Sequence, residues 1–381
     1  MSNAPTDVIV IGGGIHGCAA AFFLAQRGLK VLVLERDRVA QHASSRSAGG
    51  VRQLGRDLAE VPLAAAAMQL WHDLEAIIGD DGGFRVSGQV RVAENDADME
   101  ALGARAAAMR EHGYDHEELL DRAALRKLLP ALAPHCSGGL VSRRDGFANP
   151  YRTTLAFARA ARALGAVILE GAGVSGISRG VDFWEVQTTS GKRFRASRLL
   201  NAAGAWGSRV AAALGDAAPL GYAPFMMTMT SPLPPFVGPV VIGTGRPLSF
   251  KQLDNGAAMI GGGYVGEGTL DGAEARVNVE RLSYNVRTAI ELFPILAEAS
   301  VVRSWCGLEG VFPDHIPVIG PSSAANAYHA FGFCGHGFQL APAVGSLIAE
   351  LIATGASNLP IAPFRIDRFH GPNGAHAPAA G

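Results

Sequence analysis

Three glycines and one acid carry the first chemistry in this chain. Gly12, Gly14 and Gly17 stand as G-x-G-x-x-G in Gly12-Gly13-Gly14-Ile15-His16-Gly17, and Glu35 follows. Gly12 permits a tight turn, Gly14 lets a pyrophosphate approach the backbone, and Gly17 lets a helix lie close to a strand. Free N–H groups at a helix start, with the helix dipole behind them, suit a phosphate. Glu35 can accept hydrogen bonds from a ribose 2′-hydroxyl, and its charge would repel a 2′-phosphate. Further on, the small and hydroxylated segment Gln41 to Gln53 includes Ser44, Ser45, Gly49, Gly50 and Val51. Such composition exposes N–H and O–H donors to a phosphate. Asn201-Ala202-Ala203-Gly204-Ala205-Trp206-Gly207 runs from an apolar stretch into a small-residue turn, where backbone can come close to a ligand.

These residues need elements to hold them. Val8 to Ile11 is an apolar run, Cys18 to Gln26 has a helical pattern closed by Gly28, and Val31 to Leu34 is a second run ending at Glu35. Strand, glycine turn, helix, strand and acid therefore come in dinucleotide-binding order. Leu58 to Ile78 reads as a helix broken early by Pro62, with Met68, Leu70, Trp71 and Leu74 as core. Residues 84–93 alternate like a strand pair around a turn. Helices are expected at 96–112, at Ala123 to Leu129 and, behind Asn149-Pro150, at Tyr151 to Leu164. Residues 166–215 read as a second α/β section. The proline-rich stretch from Pro219 to Pro239 suggests edge strands and a domain boundary. Three antiparallel strands with an Asn255-Gly256 turn follow, then a helix over 273–293. Near the end, Tyr328 to Phe333 leads through Cys334-Gly335-His336-Gly337-Phe338-Gln339 into a helix, a second strand–glycine turn–helix.

The totals narrow the class. The 381 residues are 48% apolar and 18% charged, which favours a large core over disorder. With 33 basic and 34 acidic residues, nothing points to nucleic acid or an anionic membrane. The four cysteines are far apart and form no C-x-x-C, so buried thiols are expected rather than a metal or a disulfide. No basic segment precedes a long apolar one at the start, and no apolar run reaches the ~18 residues of a membrane span. A soluble, cytoplasmic protein is the expectation, with a disordered tail over 371–381.

The pieces together resemble one family, the D-amino-acid-oxidase-like FAD-dependent oxidoreductases. That family includes glycine oxidase, D-amino acid dehydrogenase and the β subunits of sarcosine oxidase, proline dehydrogenase and opine oxidase. The resemblance rests on VIVIGGGIHG with Glu35-Arg36, SAGGVRQ (47–53), NAAGAWG (201–207), RSWCGLEG…PDHIPVIGP (303–321) and FGFCGHGFQLAPAVG (331–345), and so covers nearly the whole chain. It implies FAD, held without a covalent bond, although Cys334 lies near the relevant turn. It implies an α/β fold in which a Rossmann-like FAD-binding domain of the glutathione-reductase type (1–83, 144–216 and 310–370) interleaves with an antiparallel-sheet α+β substrate domain (84–143 and 217–309).

By the same resemblance, Gly12, Gly14, Ile15, His16, Gly17 and Glu35 would hold the ADP half, with Arg36 by the adenine ribose and Val174 at the adenine. Ser44, Ser45, Ala203, Gly204 and Trp206 would border the pyrophosphate region. Gly49, Gly50, Val51 and Arg52 would pass the isoalloxazine, and Gly335, His336, Gly337, Phe338 and Gln339 would set a helix N-terminus at its pyrimidine edge. The implied reaction is oxidation of the C–N bond of a secondary amine or D-amino acid by hydride transfer to flavin N5, the imine product then hydrolysing. It needs a carboxylate anchor, for which arginine is suited. Glycine-oxidase-like members carry arginines where this chain has Glu309 and Gly335, so the resemblance is better to the opine-oxidase and proline-dehydrogenase branch. Arg52 is the first choice of anchor, with Arg303 and Lys251 as others. Lys251 could promote oxygen reaction, His336 could donate to flavin or substrate, and Tyr264 could close the pocket. Glu309 would favour an opine-like substrate with a basic arm, or else pair with Arg303. The alternatives are an electron-relaying β subunit of a heteromeric amine dehydrogenase and a 2-hydroxy acid oxidase. The β-subunit branch works in heteromers, so the resemblance allows partner subunits, and the electron-relaying alternative requires them.

Overall fold

Two eight-stranded sheets organise the chain, which crosses between them four times. The computed structural model describes residues 6–369, and the tail expected to be disordered lies outside them. In order, the elements are β1 (Thr6–Ile11), α1 (Ile15–Gln26), β2 (Val31–Leu34), α2 (Val61–His72), β3 (Gln89–Ala93), α3 (Asp96–Glu111), β4 (Glu118–Asp121) and β5 (Gly138–Ser142). Then come α4 (Pro150–Ala163), β6 (Val167–Leu169), β7 (Val174–Arg179), β8 (Trp184–Thr188) and β9 (Arg193–Asn201). After these follow β10 (Gly221–Pro232), β11 (Val240–Gly243), β12 (Ser249–Gln252), β13 (Ala257–Gly261), α5 (Val279–Leu292), β14 (Val301–Val311), β15 (Val318–Pro321), β16 (Ala327–Phe331) and α6 (Gly337–Thr354).

The first sheet runs β15-β16-β9-β1-β2-β6, with β8 and β7 added antiparallel on β9. From β16 to β6 the strands are parallel. Val8 to Val10 are fully buried because layers cover both faces, and this explains their unbroken apolar run. On one side α1 packs between α4 and α6. Gly345 brings α6 so close that a Cβ there would lie 2.7 Å from the Ala19 backbone. Helix α6 is long and apolar enough to cross a membrane by length and composition. Most of it is buried against α1 and α2, so its apolarity is that of a core helix.

The second sheet runs β14-β10-β13-β12-β11-β3-β5-β4. Only the β3–β11 pair is parallel. One face buries Val90, Val92, Val241, Phe250 and Ile260 against α5. The other face looks toward the first sheet's glycine turns. The resulting fold is α/β with one largely parallel and one largely antiparallel sheet.

Several local expectations needed correction. Within residues 84–93 only β3 is a strand, not a pair: Arg85 makes an isolated bridge to Phe147 instead. The proline-rich stretch is not an edge, because β10 lies between β14 and β13. Pro224 is tolerated there because the β13 pairing begins only at Thr228. Pro62 starts α2 rather than breaking it, as a residue lacking an N–H can in a first turn. Helix α5 begins at Val279, capped by the Asn278 side chain, since Glu274–Arg276 is spent on a small hairpin.

A buried polar group pins the end of β9 to β16. His329 Nε2 lies 2.8 Å from Asp216 Oδ2, and Asn201 Nδ2 donates to Gly207 O (2.8 Å) while lying 3.2 Å from His329 Nδ1. Asp216 also accepts from Ser322 Oγ and Ser323 N. Asp216→Ala strands these donors in the core, so it should lower unfolding stability by about 3 kcal/mol. The urea midpoint of the purified protein measures this, and a shift indistinguishable from zero would refute the role.

Candidate functional site

The glycine turn after β1 is shaped by contacts that leave no room for side chains. Gly12 has φ 109°, and a Cβ there would lie 2.4 Å from Ala202 O. A Cβ on Gly17 would lie 1.9 Å from Gly12 O. The Ile15 N–H, at the start of α1, donates to Ser44 Oγ at 2.9 Å. Backbone from three separate segments thereby lines a cleft of about 380 Å³. Of the expected ADP-half and pyrophosphate residues, Gly12, Gly14, Ile15, His16, Glu35, Arg36, Ser44, Val174, Ala203, Gly204 and Trp206 line it. So do Gly335, Gly337 and Phe338.

The polar groups of this cleft are arranged for a dinucleotide. Glu35 is 7% exposed and accepts from Gly13 N (2.6 Å) and Asp37 N (2.8 Å), one bond to each oxygen. Each oxygen keeps a further lone pair for a ribose hydroxyl. The Arg36 guanidinium lies 4.1 Å from the centre of the Trp206 ring, and His42 meets that ring edge-on. His16 stacks on Phe333 with centroids 3.5 Å apart. Both its ring nitrogens are enclosed without a hydrogen-bond partner, and burial pushes its pKa down to about 3. The residues present therefore fit FAD.

Four expected cofactor residues are placed elsewhere. Gly17 backs the turn and does not line the cleft. Ser45 turns to the other side of its loop, where its hydroxyl donates to His42 O and it borders a surface cleft with Arg46 and Trp305. Val51 is buried in a two-residue strand paired with Phe147 and Gly146. The Gln339 side chain accepts from Arg56 and donates to Ala64 O.

A second cavity of about 300 Å³ opens from the first. The two share Ser47, Glu309, Gly335, Phe338 and no others of the chemistry-bearing residues. Its floor is the 46–52 loop and the 334–338 turn; its roof is the second sheet, including Phe225, Met227, Ile242 and Met259. This chamber contains Gly49, Gly50, Arg52, Lys251, Glu309 and His336, as expected. It does not contain Tyr264, which follows two glycines with φ near 117° that turn the chain out of the sheet. Nor does it contain Arg303, which lies outward beside Trp305 and does not pair with Glu309.

Inside the chamber, burial sets the protonation of each group. Arg52 donates to Leu54 O at 2.6 Å and meets no carboxylate. Burial, together with the Arg56 and Arg91 charges, pushes its pKa down to about 9. Lys251 is 3% exposed; its Nζ donates to Ala48 O (2.6 Å) and lies 4.0 Å from the Phe147 ring centre. Burial brings its pKa down to about 7. Glu309 has no cation beside it, and burial pushes its carboxyl up to about 7, held back in part by the Gly335 backbone. Cys334 is committed: its thiol donates to Gly332 O and accepts from Phe312 N, and burial pushes its pKa up to about 12.

His336 is governed by residues that the sequence reading did not single out. Arg56 Nη1 lies 2.8 Å from His336 Nδ1, and Arg56 Nη2 donates to His336 O at 3.0 Å. Arginine only donates, so its 2.8 Å contact favours Nδ1 as the acceptor with the ring proton on Nε2, against the pull of Glu60 on a proton at the same Nδ1. Burial lowers the His336 pKa, which keeps the ring neutral. Glu60 Oε1 lies 3.3 Å from the same Nδ1 and Oε2 lies 3.7 Å from Arg56. Asp145, fully buried, accepts from Gln53 N and Leu54 N and so fixes the loop that carries Arg52. The i,i+4 spacing of Arg56 and Glu60 was visible; that both would be buried under His336 was not.

Residues 7–351 match the family model described as FAD dependent oxidoreductase (DAO). The chain is 32% identical to sarcosine oxidase subunit beta of Rhizobium meliloti, over 95% of this chain and 88% of that one. Among solved structures it resembles L-proline dehydrogenase from P. horikoshii, with TM-score 0.88, 28% identity and coverage of 96% and 98%. It also resembles glycine oxidase from Geobacillus kaustophilus, with TM-score 0.88, 25% identity and coverage of 95% and 98%.

Two substitutions test the site. Gly17→Ala forces α1 away from Gly12 and should weaken FAD binding by at least about tenfold; a flavin titration of the apoprotein reads this, and unchanged affinity would refute the packing argument. Glu309→Gln tests the buried carboxyl. A raised carboxylate pKa means stability is fully present below about 4.5 and is lost as pH rises through about 7. In flavin-free protein the variant should therefore gain Tm over the parent progressively from pH 5 to 7, then hold that gain. A pH-independent difference would show that Glu309 ionises freely.

Proposed function

The chain belongs to the DAO family of FAD-dependent oxidoreductases, and from that premise we propose that it oxidises the C–N bond of a secondary amine or amino acid, with an opine-like substrate favoured. One observation carries the reading: an unpaired arginine, Arg52, stands in a roofed chamber that opens directly from the dinucleotide cleft. When bound, FAD supplies a two-electron acceptor for the hydride. The chain supplies everything that brings the substrate to it.

Arg52 anchors the substrate carboxylate, and low polarity around it strengthens the pairing. His336 presents Nε2–H, a neutral donor that needs no charge to act. The backbone at the start of α6 adds a positive end at the junction of the two cavities, which favours negative charge there. An ammonium must lose a proton before its α-carbon can give up hydride. Lys251 and Glu309 both titrate near 7, the range in which a group can take that proton and release it. The Met- and Phe-lined roof keeps water from the reacting carbon.

Charge redirects one expectation. Arg52, Arg91 and Lys251 face the chamber against a single acid, Glu309. A basic arm on the substrate would meet more cations than anions, so an anionic substrate is the better fit. The similarity to a protein named as a beta subunit supports a partner subunit for this chain as well. The cofactor is held without a covalent bond, its nearest thiol being protonated and engaged.

Anaerobic bleaching of the FAD-loaded protein by opines, proline, sarcosine, D-amino acids and 2-hydroxy acids tests the proposal. At least one secondary amine should bleach it, and 2-hydroxy acids should not. In Arg52→Gln the apparent KM for that amine should rise on the order of 100-fold, with a smaller change in kcat. Bleaching by 2-hydroxy acids alone would overturn the amine reading. Bleaching that Arg52→Gln leaves unchanged would remove Arg52 from the anchor role.

A further inference from the structure

The chamber extends beyond Arg52 to an end whose polar groups lack partners. Strand β3 alternates: Val90 and Val92 enter the hydrophobic core, so Gln89 and Arg91 project to the opposite face, into the chamber. The Arg91 guanidinium packs over Gly55, where a Cβ would lie 3.2 Å from Nη2. Arg52 Nη1 bonds Leu54 O. Two guanidinium groups thus flank one peptide unit, Leu54–Gly55.

Like charges this close favour an anion between or beside them, and the nearby carboxylates Glu60, Asp145 and Glu117 act on them only from longer range. Among the described residues neither arginine has a carboxylate within ion-pair distance. Glu117, the carboxylate that acts on Arg91, is taken by Arg105 (2.9 and 3.0 Å) and by Gly55 N (2.7 Å). Arg91 Nε is enclosed and makes no hydrogen bond. Gln89 is 1% exposed and its Oε1 is likewise enclosed without a partner. Its amide nitrogen is not enclosed in this way and offers the N–H donors. Glu309 is too far to compensate, being on β14, five strands from β3 in the sheet order and so roughly 24 Å across it.

We infer that Arg91 and Gln89 form a second carboxylate subsite, so that the substrate is a dicarboxylic secondary amine with one carboxylate on Arg52 and the other on Arg91. This rests on the amine-oxidising reading above and specifies its substrate class. Arg91 determines specificity and stands apart from the reacting atoms.

Matched substrates separate this from a general effect. N-(1-carboxyethyl)alanine and N-ethylalanine differ by one carboxylate. With FAD-loaded enzyme and a dye acceptor, Arg91→Gln should lower kcat/KM for the dicarboxylate on the order of 100-fold. It should leave N-ethylalanine within about threefold. Arg91→Lys, which keeps the charge but not the fork, should fall between. Equal losses on both substrates, or none on either, overturn the inference. Glutarate, a dicarboxylate that cannot be oxidised, gives a second readout through the flavin spectrum. Its affinity should fall in Arg91→Gln by a similar factor. If the parent enzyme oxidises no amine, the functional reading fails while this measurement still decides the subsite: absent or unchanged glutarate binding overturns it.

Discussion

The site depends on one buried charge, the guanidinium of Arg56. It is 1% exposed and donates to Arg52 O, His336 O and Gln339 Oε1, with Nη1 against His336 Nδ1. A buried arginine keeps its charge, so it tolerates burial only where acceptors surround it. That requirement works in both directions. The acceptors hold Arg56 in place, and Arg56 holds the 52–56 loop against the turn at 336–339, about 280 residues away in sequence. It also sets which nitrogen of His336 bears the proton. Removing it would leave a histidine, a glutamine and a glutamate facing one another under the chamber floor.

With that floor fixed, the roof of the second sheet makes the chamber a low-polarity space between two domains' worth of structure. The same burial acts with opposite sign on acids and bases. It drives Lys251 toward neutrality and Glu309 toward protonation, so two groups that would be fully charged in water come to titrate in the same range. Arg52 is lowered about as much as Lys251 but starts higher, so at about 9 it still carries its charge near pH 7. The chamber therefore sorts its residues by type. Arg52 and Arg91 remain binding charges near pH 7, whereas Lys251 and Glu309 become groups able to exchange protons.

Legibility in the sequence followed the range of the interactions. The turn from Gly12 to Gly17 and the acid Glu35 could be read because strand, turn, helix and acid are local and each residue type has one physical reason to be there. Lys251 and His336 could be placed by motif on a strand and at a helix start. Gly17 takes the packing role that its motif position implies, whereas Ser45 faces away from the cleft because motif position says nothing about which side of a thin loop a residue faces. Tyr264 was lost at Gly262 and Gly263, whose positive φ redirects the chain after a well-predicted strand. Arg56, Glu60 and Asp145 had no readable signal beyond a common i,i+4 spacing, since their partners come from distant segments. Arg91 resembles any outward residue of an alternating strand; only the 46–56 and 334–338 segments packed against that face make it an interior.

The two departures from the glycine-oxidase pattern, at 309 and 335, turn out to be one place. Gly335 has φ 82°, and a Cβ there would lie 3.3 Å from the Phe225 ring and 3.8 Å from Glu309 Oε2. A left-handed backbone and a ring at that distance both oppose an arginine at 335. The acid at 309 would meet any such side chain, so the two positions are coupled by contact and by conformation. An anchor cannot be restored at either without rebuilding the turn that carries His336. On the reading proposed above, carboxylate recognition falls instead to Arg52 and Arg91, which line the same chamber and make no ion pair among the described residues.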